Sequence, residues 1–208
     1  MELHSPGGPV RSVKDFFVHI GVVTVGILIA LGLEQIVEAH HRATLAKSAV
    51  AGFRKELVYN QGQVREVLAG MPELQGKIDA AIAKLSPNPS PGNSAAPIVY
   101  PGIHLDVVST ASWDTAIATQ ALNELPFETV TRYAQAYGTL RLFAETERDG
   151  ITIWLGINRF GTDPAALTQD QRASLLQELR RYSNALAAID FAGHGTLKSC
   201  DAALTAPQ

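Results

Sequence analysis

Apolar side chains fill one uninterrupted stretch near the start of the chain. Across the 18 residues from 16 to 33, the only polar side chains are His19 and Thr24. As an α-helix rising ~1.5 Å per residue, this stretch spans about 27 Å, close to the thickness of a bilayer's hydrocarbon core. The pattern predicts a transmembrane helix over residues 15–38.

Beyond this stretch, apolar positions continue with a period of 3.5 residues. Alternating steps of three and four from Ala43 reach Leu85, and only Asn60 on this stripe is polar. Such a period is typical of a helix whose stripe packs against another helix. We expect a long amphipathic helix over residues 39–85, covered by a second copy of the chain or by later helices. The stripe consists of Ala43, Ala46, Val50, Phe53, Leu57, Asn60, Val64, Val67, Met71, Leu74, Ile78, Ala81 and Leu85.

Several residues of these two segments are candidates for packing between helices. Small residues four apart, such as Gly26 and Ala30, allow another membrane helix to approach closely. A lone Asn60 in the stripe either fixes register and oligomeric state or lies at the edge of an ordinary helix contact. Gly70 and Pro72 predict a kink or a restart near residue 71. The candidate packing residues are Gly26, Ala30, Phe53, Leu57, Asn60 and Val64.

The second half of the chain combines one loop with several helical segments. Four prolines among Ser, Asn and Gly in residues 86–97 indicate a solvated loop, which we predict over residues 86–103. Helical spacing then predicts a small bundle over 104–198 and a tail at 199–208. With little strand signal, the fold class is all-α: one N-terminal transmembrane helix continuing into a long amphipathic helix, plus a small helical bundle.

Capping residues and helix breakers predict the ends of the later helices. Hydroxyl side chains cap helix starts, proline suits a first helical position, and glycine often ends a helix. The expected starts are Ser112, Pro126 and the capping box of Thr168 with Gln171. The expected ends are Asp149-Gly150 and the glycines at 193 and 195. The last helix should bury Leu175, Leu179, Tyr182, Leu186 and Ile189.

Composition narrows the classes of function. Charged residues make up 18% of the chain and the net charge is -3, so no basic surface attracts phosphates and nucleic acid is not an expected partner. A lone Cys200 excludes an internal disulfide and any multi-cysteine metal site. The sequence has no nucleophile motif, glycine-rich phosphate loop or zinc signature. We therefore expect no catalytic residue and no resident cofactor.

One constellation of polar residues could still bind a metal. Glu34, Glu38 and His41 follow steps of four and three, with His40 beside them, so they share one side of a helix. Residues 38–41 match the Glu-x-x-His spacing of di-iron carboxylate bundles, which need a second such motif that this sequence lacks. The set could bind one transition metal, also across two chains. Alternatively, these acids and histidines mark where the helix leaves the bilayer.

The apolar stretch has a second interpretation, as a secretory signal. Ala30 and Gly32 place small residues where a signal peptidase cuts, which would leave Leu33 as the first residue. The helical pattern continues unbroken through that point, whereas cleavage sites normally lie in extended chain. We therefore expect the stretch to be retained as a membrane span.

Flanking charges predict the orientation of that span. Arg11 and Lys14 precede it, Arg42 and Lys47 follow it, and the amino terminus adds to the first side. Because positive charge is retained in the cytoplasm, we expect residues 1–14 to form a cytoplasmic leader and the C-terminal domain to be periplasmic.

Several segments resemble a family of uncharacterised bacterial single-span membrane proteins. The resemblance is carried by MELHSPGG, DFFVHIGVVTVGILIALGLEQIVEAHHR, FRKELVYNQ and SWDTAIATQAL. Members of that family have one N-terminal membrane helix, a long helix with a similar Glu-Leu-x-x-Asn pattern and a helical extramembrane part. The resemblance implies an anchored helical protein in a bacterial inner membrane, and it assigns no catalytic residue.

These observations lead to two hypotheses of different classes. The first is a membrane-anchored scaffold or accessory subunit, which packs with itself or with other membrane subunits and contacts the lipid bilayer. The alternative is a metal-binding enzyme or sensor that uses Glu34, Glu38, His40 and His41 at the membrane surface. A ligand-sensing domain is a weaker third, because no second span or signalling module follows.

Overall fold

The computed structural model describes residues 13–86, 97–100, 102 and 108–205. Within these ranges the chain forms four α-helices and two 3₁₀ turns, and no strand occurs, which confirms the all-α prediction. The helices are α1 (Val13–Leu85), α2 (Ala111–Ala118), α3 (Phe127–Ile157) and α4 (Gln169–Thr205), and the 3₁₀ turns are Ala121–Glu124 and Pro164–Ala166.

The chain divides into two compact units, Met1–Lys47 and Ser48–Gln208. The N-terminal unit contains the first part of α1, from Val13 onward, with the predicted membrane span. Most of the predicted leader lies outside the described residues. The C-terminal unit contains the remainder of α1 and the other three helices.

The apolar stripe of α1 forms one wall of the core of the C-terminal unit. Each stripe position from Phe53 to Leu85 is buried, as is Ala46, whereas Val50 is half-buried and Ala43 is exposed. Burial of one such large apolar side chain contributes about 1.5–3 kcal/mol. Later helices of the same chain cover the stripe, so one of the two predicted ways of covering it is realised here.

Helices α3 and α4 form an antiparallel pair. The Thr196 hydroxyl donates to the carbonyl of Thr139 at 3.0 Å, and the side chain of Ile189 lies beside Gly150. The predicted core positions of α4 from Leu175 to Ile189 are all buried, which confirms that part of the pattern.

Two polar contacts align α1 with α4. Gln61 Nε2 donates to Asp201 Oδ1 at 2.6 Å, and Gln75 Nε2 donates to Ser183 Oγ at 2.9 Å. The later of the two α1 residues contacts the earlier of the two α4 residues, so these helices are antiparallel as well. The C-terminal unit is therefore built on three long helices, to which the short α2 is added.

Two expected helix ends and the restart expected near residue 71 are wrong, because tertiary packing outweighs the local signals, and the alternative of a kink near residue 71 stays a prediction. Helix α1 continues through Pro72 without a restart. Proline removes one backbone donor, but Met71 and Leu74 on either side of it are buried, and their packing holds the helix together. Helix α3 continues past Gly150 to Ile157, and α4 continues past Gly193 to Thr205. At both glycines, the missing side chain makes room for a neighbouring helix.

The predicted tail at 199–208 is therefore wrong in its first part. Helix α4 includes Cys200 and Ala203, which are buried at 0% and 1% exposure. These two side chains continue the buried face of α4, so the bundle extends beyond residue 198.

Of the three predicted helix starts, one is confirmed and two differ from the structure. The capping box is confirmed, since the Thr168 N–H donates to Gln171 Oε1 at 2.9 Å and the Gln171 N–H donates to Thr168 Oγ1 at 3.2 Å. Pro126 is the N-cap of α3 rather than its first residue. Ser112 does not cap α2, whose N-cap is Thr110.

Part of the predicted loop packs against the connection between α3 and α4. The Ile98 N–H donates to the Thr162 carbonyl at 2.7 Å, and the Tyr100 hydroxyl donates to the Gly161 carbonyl at 3.0 Å. Ile98 is buried. Residues 87–96 of the predicted loop lie outside the described residues.

Candidate functional site

The N-terminal unit presents a continuous apolar surface. Helix α1 contains an 18-residue window that is long and apolar enough to cross a membrane, and none of this window, 0%, is buried within the protein. A core helix of a soluble domain would have this surface covered. The large side chains that remain exposed include Phe17, Val22, Val25, Ile29 and Leu33.

The candidate packing residues fall into both units. In the N-terminal unit, Gly26 and Ala30 are exposed, and a methyl group added at Gly26 would meet no atom within 4 Å. In the C-terminal unit, the four remaining candidates are 0% exposed. They pack inside the chain itself, and they are Phe53, Leu57, Asn60 and Val64.

The four candidate metal ligands are exposed on α1. The Glu38 carboxylate lies 3.5 Å from the Arg42 guanidinium, and the His40 carbonyl accepts from Thr44. Across the described ranges, no three His, Cys, Asp or Glu side chains come together in a way that could hold a metal ion. A single chain therefore does not assemble a metal centre from Glu34, Glu38, His40 and His41.

Asn60 is fully buried and bonds to the segment that precedes α2. Its Nδ2 donates to the Ser109 carbonyl at 2.7 Å, and the Ser109 N–H donates to its Oδ1 at 2.8 Å. Both ends of the amide side chain are therefore satisfied, as burial of a polar group requires. Neither prediction for Asn60 describes this contact, which is made neither to a second chain nor at the edge of a helix contact.

Glu56, one turn before Asn60, accepts hydrogen bonds from three residues. Ser109 Oγ donates to Oε1 at 2.6 Å, and Tyr137 Oη donates to Oε2 at 2.7 Å. The Ser112 N–H lies 3.1 and 3.0 Å from the two oxygens. Because this N–H belongs to the first turn of α2, the Glu56 carboxylate supplies the cap that the Thr110 side chain does not.

Aromatic rings pack beside these hydrogen bonds. The Phe53 ring lies 5.5 Å from that of Trp113 and 4.9 Å from that of Tyr133, and Trp113 stacks on Tyr137 at 5.3 Å. Burial, followed by the hydrogen bond to Glu56, raises the pKa of Tyr137 well above its usual value. The phenol therefore stays a neutral donor.

We call Glu56, Asn60, Ser109, Ser112 and Tyr137 the Glu56 cluster. It joins α1 and α3 to the start of α2, and its hydrogen bonds link residues that are 49 to 81 positions apart in sequence. Two hydroxyl groups and one backbone N–H donate to Glu56, and each of them finds an oxygen of its carboxylate as acceptor. Such an arrangement holds the helices in a fixed position.

Sequence analysis included Glu56 only through the Glu-Leu-x-x-Asn pattern of the resemblance, which spans Glu56 to Asn60, and it did not name Ser109 or Tyr137. The signals available were this pattern and the polar residue in the stripe, Asn60, which must find a partner when buried.

No family model, no curated protein and no solved structure matches this chain. The resemblance to single-span membrane proteins therefore stays a prediction.

Proposed function

We propose that this protein is a membrane-anchored helical scaffold or accessory subunit of a bacterial inner membrane. The observation that carries this proposal is the contrast between the two units. The apolar window of the N-terminal unit is wholly uncovered, whereas the stripe on the same helix from Phe53 to Leu85 is buried. An uncovered apolar surface of this length is stable in lipid and unfavourable in water.

The action of the protein is proposed to be packing with other polypeptides, either further copies of itself or other membrane subunits. The Glu56 cluster supports this role, because its hydrogen bonds join α1 and α3 to the start of α2. The flanking charges and the resemblance noted above support a cytoplasmic amino terminus and a periplasmic C-terminal unit.

Membrane extraction tests the anchor. The full chain expressed in a Gram-negative host should sediment with the inner membrane and resist alkaline carbonate. Val25→Arg combined with Ile29→Arg should release it, because each charge at mid-span costs about 2.5–3.5 kcal/mol on insertion scales. The matched control replaces Val58 and Tyr59, which are exposed on α1 in the other unit, with Arg.

Two results would overturn the proposal. One is complete extraction of the native chain by carbonate, and the other is an intact mass that begins at Leu33. Orientation is read from Glu66→Cys, an exposed position of the C-terminal unit, in the Cys200→Ala background. A membrane-impermeant maleimide should label this cysteine in intact spheroplasts, and labelling only after lysis would reverse the assigned orientation.

A further inference from the structure

An apolar turn closes one end of the C-terminal unit. It joins α2 to α3, and we call its residues 119–127 the α2–α3 turn. Phe127, the first residue of α3, is 83% exposed, and Leu122 and Leu125 are half-buried. The ring of Phe127 therefore has almost no cover from the protein.

The α2–α3 turn lies at the end of the unit where α1 enters it. The Tyr133 ring lies 4.9 Å from the Phe53 ring, and farther along both helices Gly150 and Met71 line the same small cavity. Helix α3 therefore runs parallel to α1. Phe127 is six residues before Tyr133, and the unit begins five residues before Phe53. At ~1.5 Å per residue, Phe127 is level with the first residues of the unit to within a few ångströms.

The ring of Phe127 faces outward at this end. In an α-helix the Cα–Cβ bond tilts toward the amino end, which for α3 is the end where α1 enters. Glu124 and Glu128, which flank the ring in sequence, are both exposed. An apolar ring beside carboxylates suits the boundary between lipid and water better than the inside of a protein contact.

The predicted membrane span ends close to this end of the unit. Residues 39–47 separate the span from the unit, and as part of α1 these nine residues rise ~14 Å. The headgroup layer occupies ~5–8 Å of this rise, and a tilt of ~20° lowers a helix ~10 Å to the side of α1 by ~3 Å. The length of the Phe127 side chain covers the remainder. Helix α1 therefore brings the lipid surface within reach of this ring.

We propose that the α2–α3 turn rests on the bilayer surface, with the Phe127 ring among the lipid headgroups. The ring then leaves water for a layer that favours aromatic side chains, while Glu124 and Glu128 stay hydrated. This inference rests on the proposed function and deepens it, because it names the lipid surface as a second contact of the C-terminal unit. Two contacts, α1 and the ring, fix how the unit is presented above the membrane.

Fluorescence quenching in vesicles tests this contact. The full chain, in the Cys200→Ala background, is labelled with a nitrobenzoxadiazole fluorophore at Glu128→Cys, which keeps Phe127 in place. It is reconstituted into phosphatidylcholine vesicles in which part of the lipid, in both leaflets, carries a nitroxide on its headgroup. The direction of insertion then does not affect the result. The label should lose at least about half of its fluorescence, because an interfacial residue lies within ~10 Å of the headgroup layer.

A label at the other end of α3 is the positional control. Leu155 is 60% exposed and belongs to the same helix. At ~1.5 Å per residue, it lies about 40 Å from residue 128. The label at Leu155→Cys should therefore keep its fluorescence in the same vesicles.

A charge in place of the ring tests the role of Phe127 itself. Phe127→Glu, added to the labelled Glu128→Cys chain, should remove most of the quenching, because a carboxylate opposes transfer out of water. Phe191→Glu is the matched control, since this ring is 84% exposed on α4. Gly193, two residues later, lies beside Leu68, so Phe191 is far from the α2–α3 turn and its substitution should leave the quenching unchanged. Unchanged thermal unfolding verifies that each variant folds.

Three results overturn the inference: an unquenched label at residue 128, equal quenching at residues 128 and 155, or quenching that survives Phe127→Glu. The first is the result expected if another polypeptide, and not lipid, covers the turn. Carbonate resistance separates the two proposals. A chain that stays in the membrane with an unquenched label contradicts only the contact of the turn, whereas a chain that carbonate extracts contradicts the anchor.

Discussion

Asn60 and Ser109 exchange two hydrogen bonds, at 2.7 and 2.8 Å, across a separation of 49 residues. The amide side chain of Asn60 offers one donor and one acceptor to the backbone of Ser109. The half-buried backbone N–H and carbonyl of Ser109 thereby find their partners on α1. The start of α2 is fixed to a single register on α1 as a result.

Asn60→Ala should destabilise the C-terminal unit by about 1–3 kcal/mol, because it removes the partners of the part-buried N–H and carbonyl of Ser109. Urea unfolding followed by tryptophan fluorescence measures the free energy of unfolding, and Trp113 lies close to the lesion. Glu66→Ala, an exposed change on the same helix, is the control and should stay within ~0.5 kcal/mol. Equal effects of the two substitutions would contradict this role of Asn60.

Glu56→Gln should lower the free energy of unfolding, although glutamine has nearly the same shape as glutamate. The Ser112 N–H contacts both carboxylate oxygens, so the amide nitrogen introduced by the substitution would face this donor in either orientation. Loss of hydrogen bonds to a charged acceptor is expected to cost about 1.5–3 kcal/mol.

Tyr137→Phe removes the hydroxyl that donates to Glu56, and on its own it should lower the free energy of unfolding by about 1–2 kcal/mol. In the double variant, the two effects should fall short of their sum by about 1 kcal/mol, since both substitutions remove the same hydrogen bond. Chemical unfolding of the four proteins measures this coupling. Strict additivity would show that the two residues do not interact.

Gly193→Ala should destabilise the bundle despite the better helix propensity of alanine. A methyl group there would lie 2.8 Å from Leu68 Cδ2 and 3.2 Å from Phe143 Cε2. Overpacking of this kind costs about 1–3 kcal/mol, which exceeds the ~1 kcal/mol gained in propensity.

Gly138→Ala is the matched control for that substitution. Gly138 lies inside α3, and an added methyl group meets nothing within 4 Å. This variant should therefore be more stable than the native chain by up to ~1 kcal/mol. Thermal unfolding should show opposite shifts for the two variants, and shifts of the same sign would contradict the close contact at Gly193.

Cys200 should make stability fall at alkaline pH. Burial raises the pKa of its thiol to about 11, with Asp201 adding to the effect and Arg65 opposing it. The unfolded chain, with a thiol pKa near 9.0, therefore loses the proton first, and the folded chain binds more protons between these values. Stability from this group is present below pH 9 and is lost as pH rises toward 11.

Comparison with Cys200→Ala isolates this contribution. Between pH 8 and 10.5 the native chain should lose on the order of 1–2 kcal/mol more unfolding free energy than the variant. The comparison cancels the contribution of every other titratable group, because the two proteins differ only at residue 200. Parallel pH profiles for the two proteins would show that the thiol is not held neutral by the fold.

The periodic features of the sequence were sufficient for the helices and for most of the core. The stripe from Phe53 to Leu85 and the repeat from Leu175 to Ile189 were both predicted, and both are buried. The capping box of Thr168 and Gln171 was also predicted, because all of its interactions lie within one turn of helix. Such features depend on neighbours in sequence, so they can be read without a structure.

Helix ends could not be predicted in the same way. Gly150 and Gly193 read as breakers, yet in the structure each lies against a neighbouring helix that needs the space left by a missing side chain. Glycine is both a local signal for the end of a helix and the residue that lets two helices approach closely. Only the packing partner distinguishes them.

The sequence by itself determined the all-α class, the apolar window of α1 and the buried faces of α1 and α4, because these follow from the periodic spacing of apolar residues. The tertiary structure alone decided that α3 and α4 belong to the core that covers the stripe, that Glu56 caps α2, and that Phe127 stands exposed at the end of the C-terminal unit where α1 enters. These contacts join residues distant in sequence, and their geometry depends on how whole helices pack.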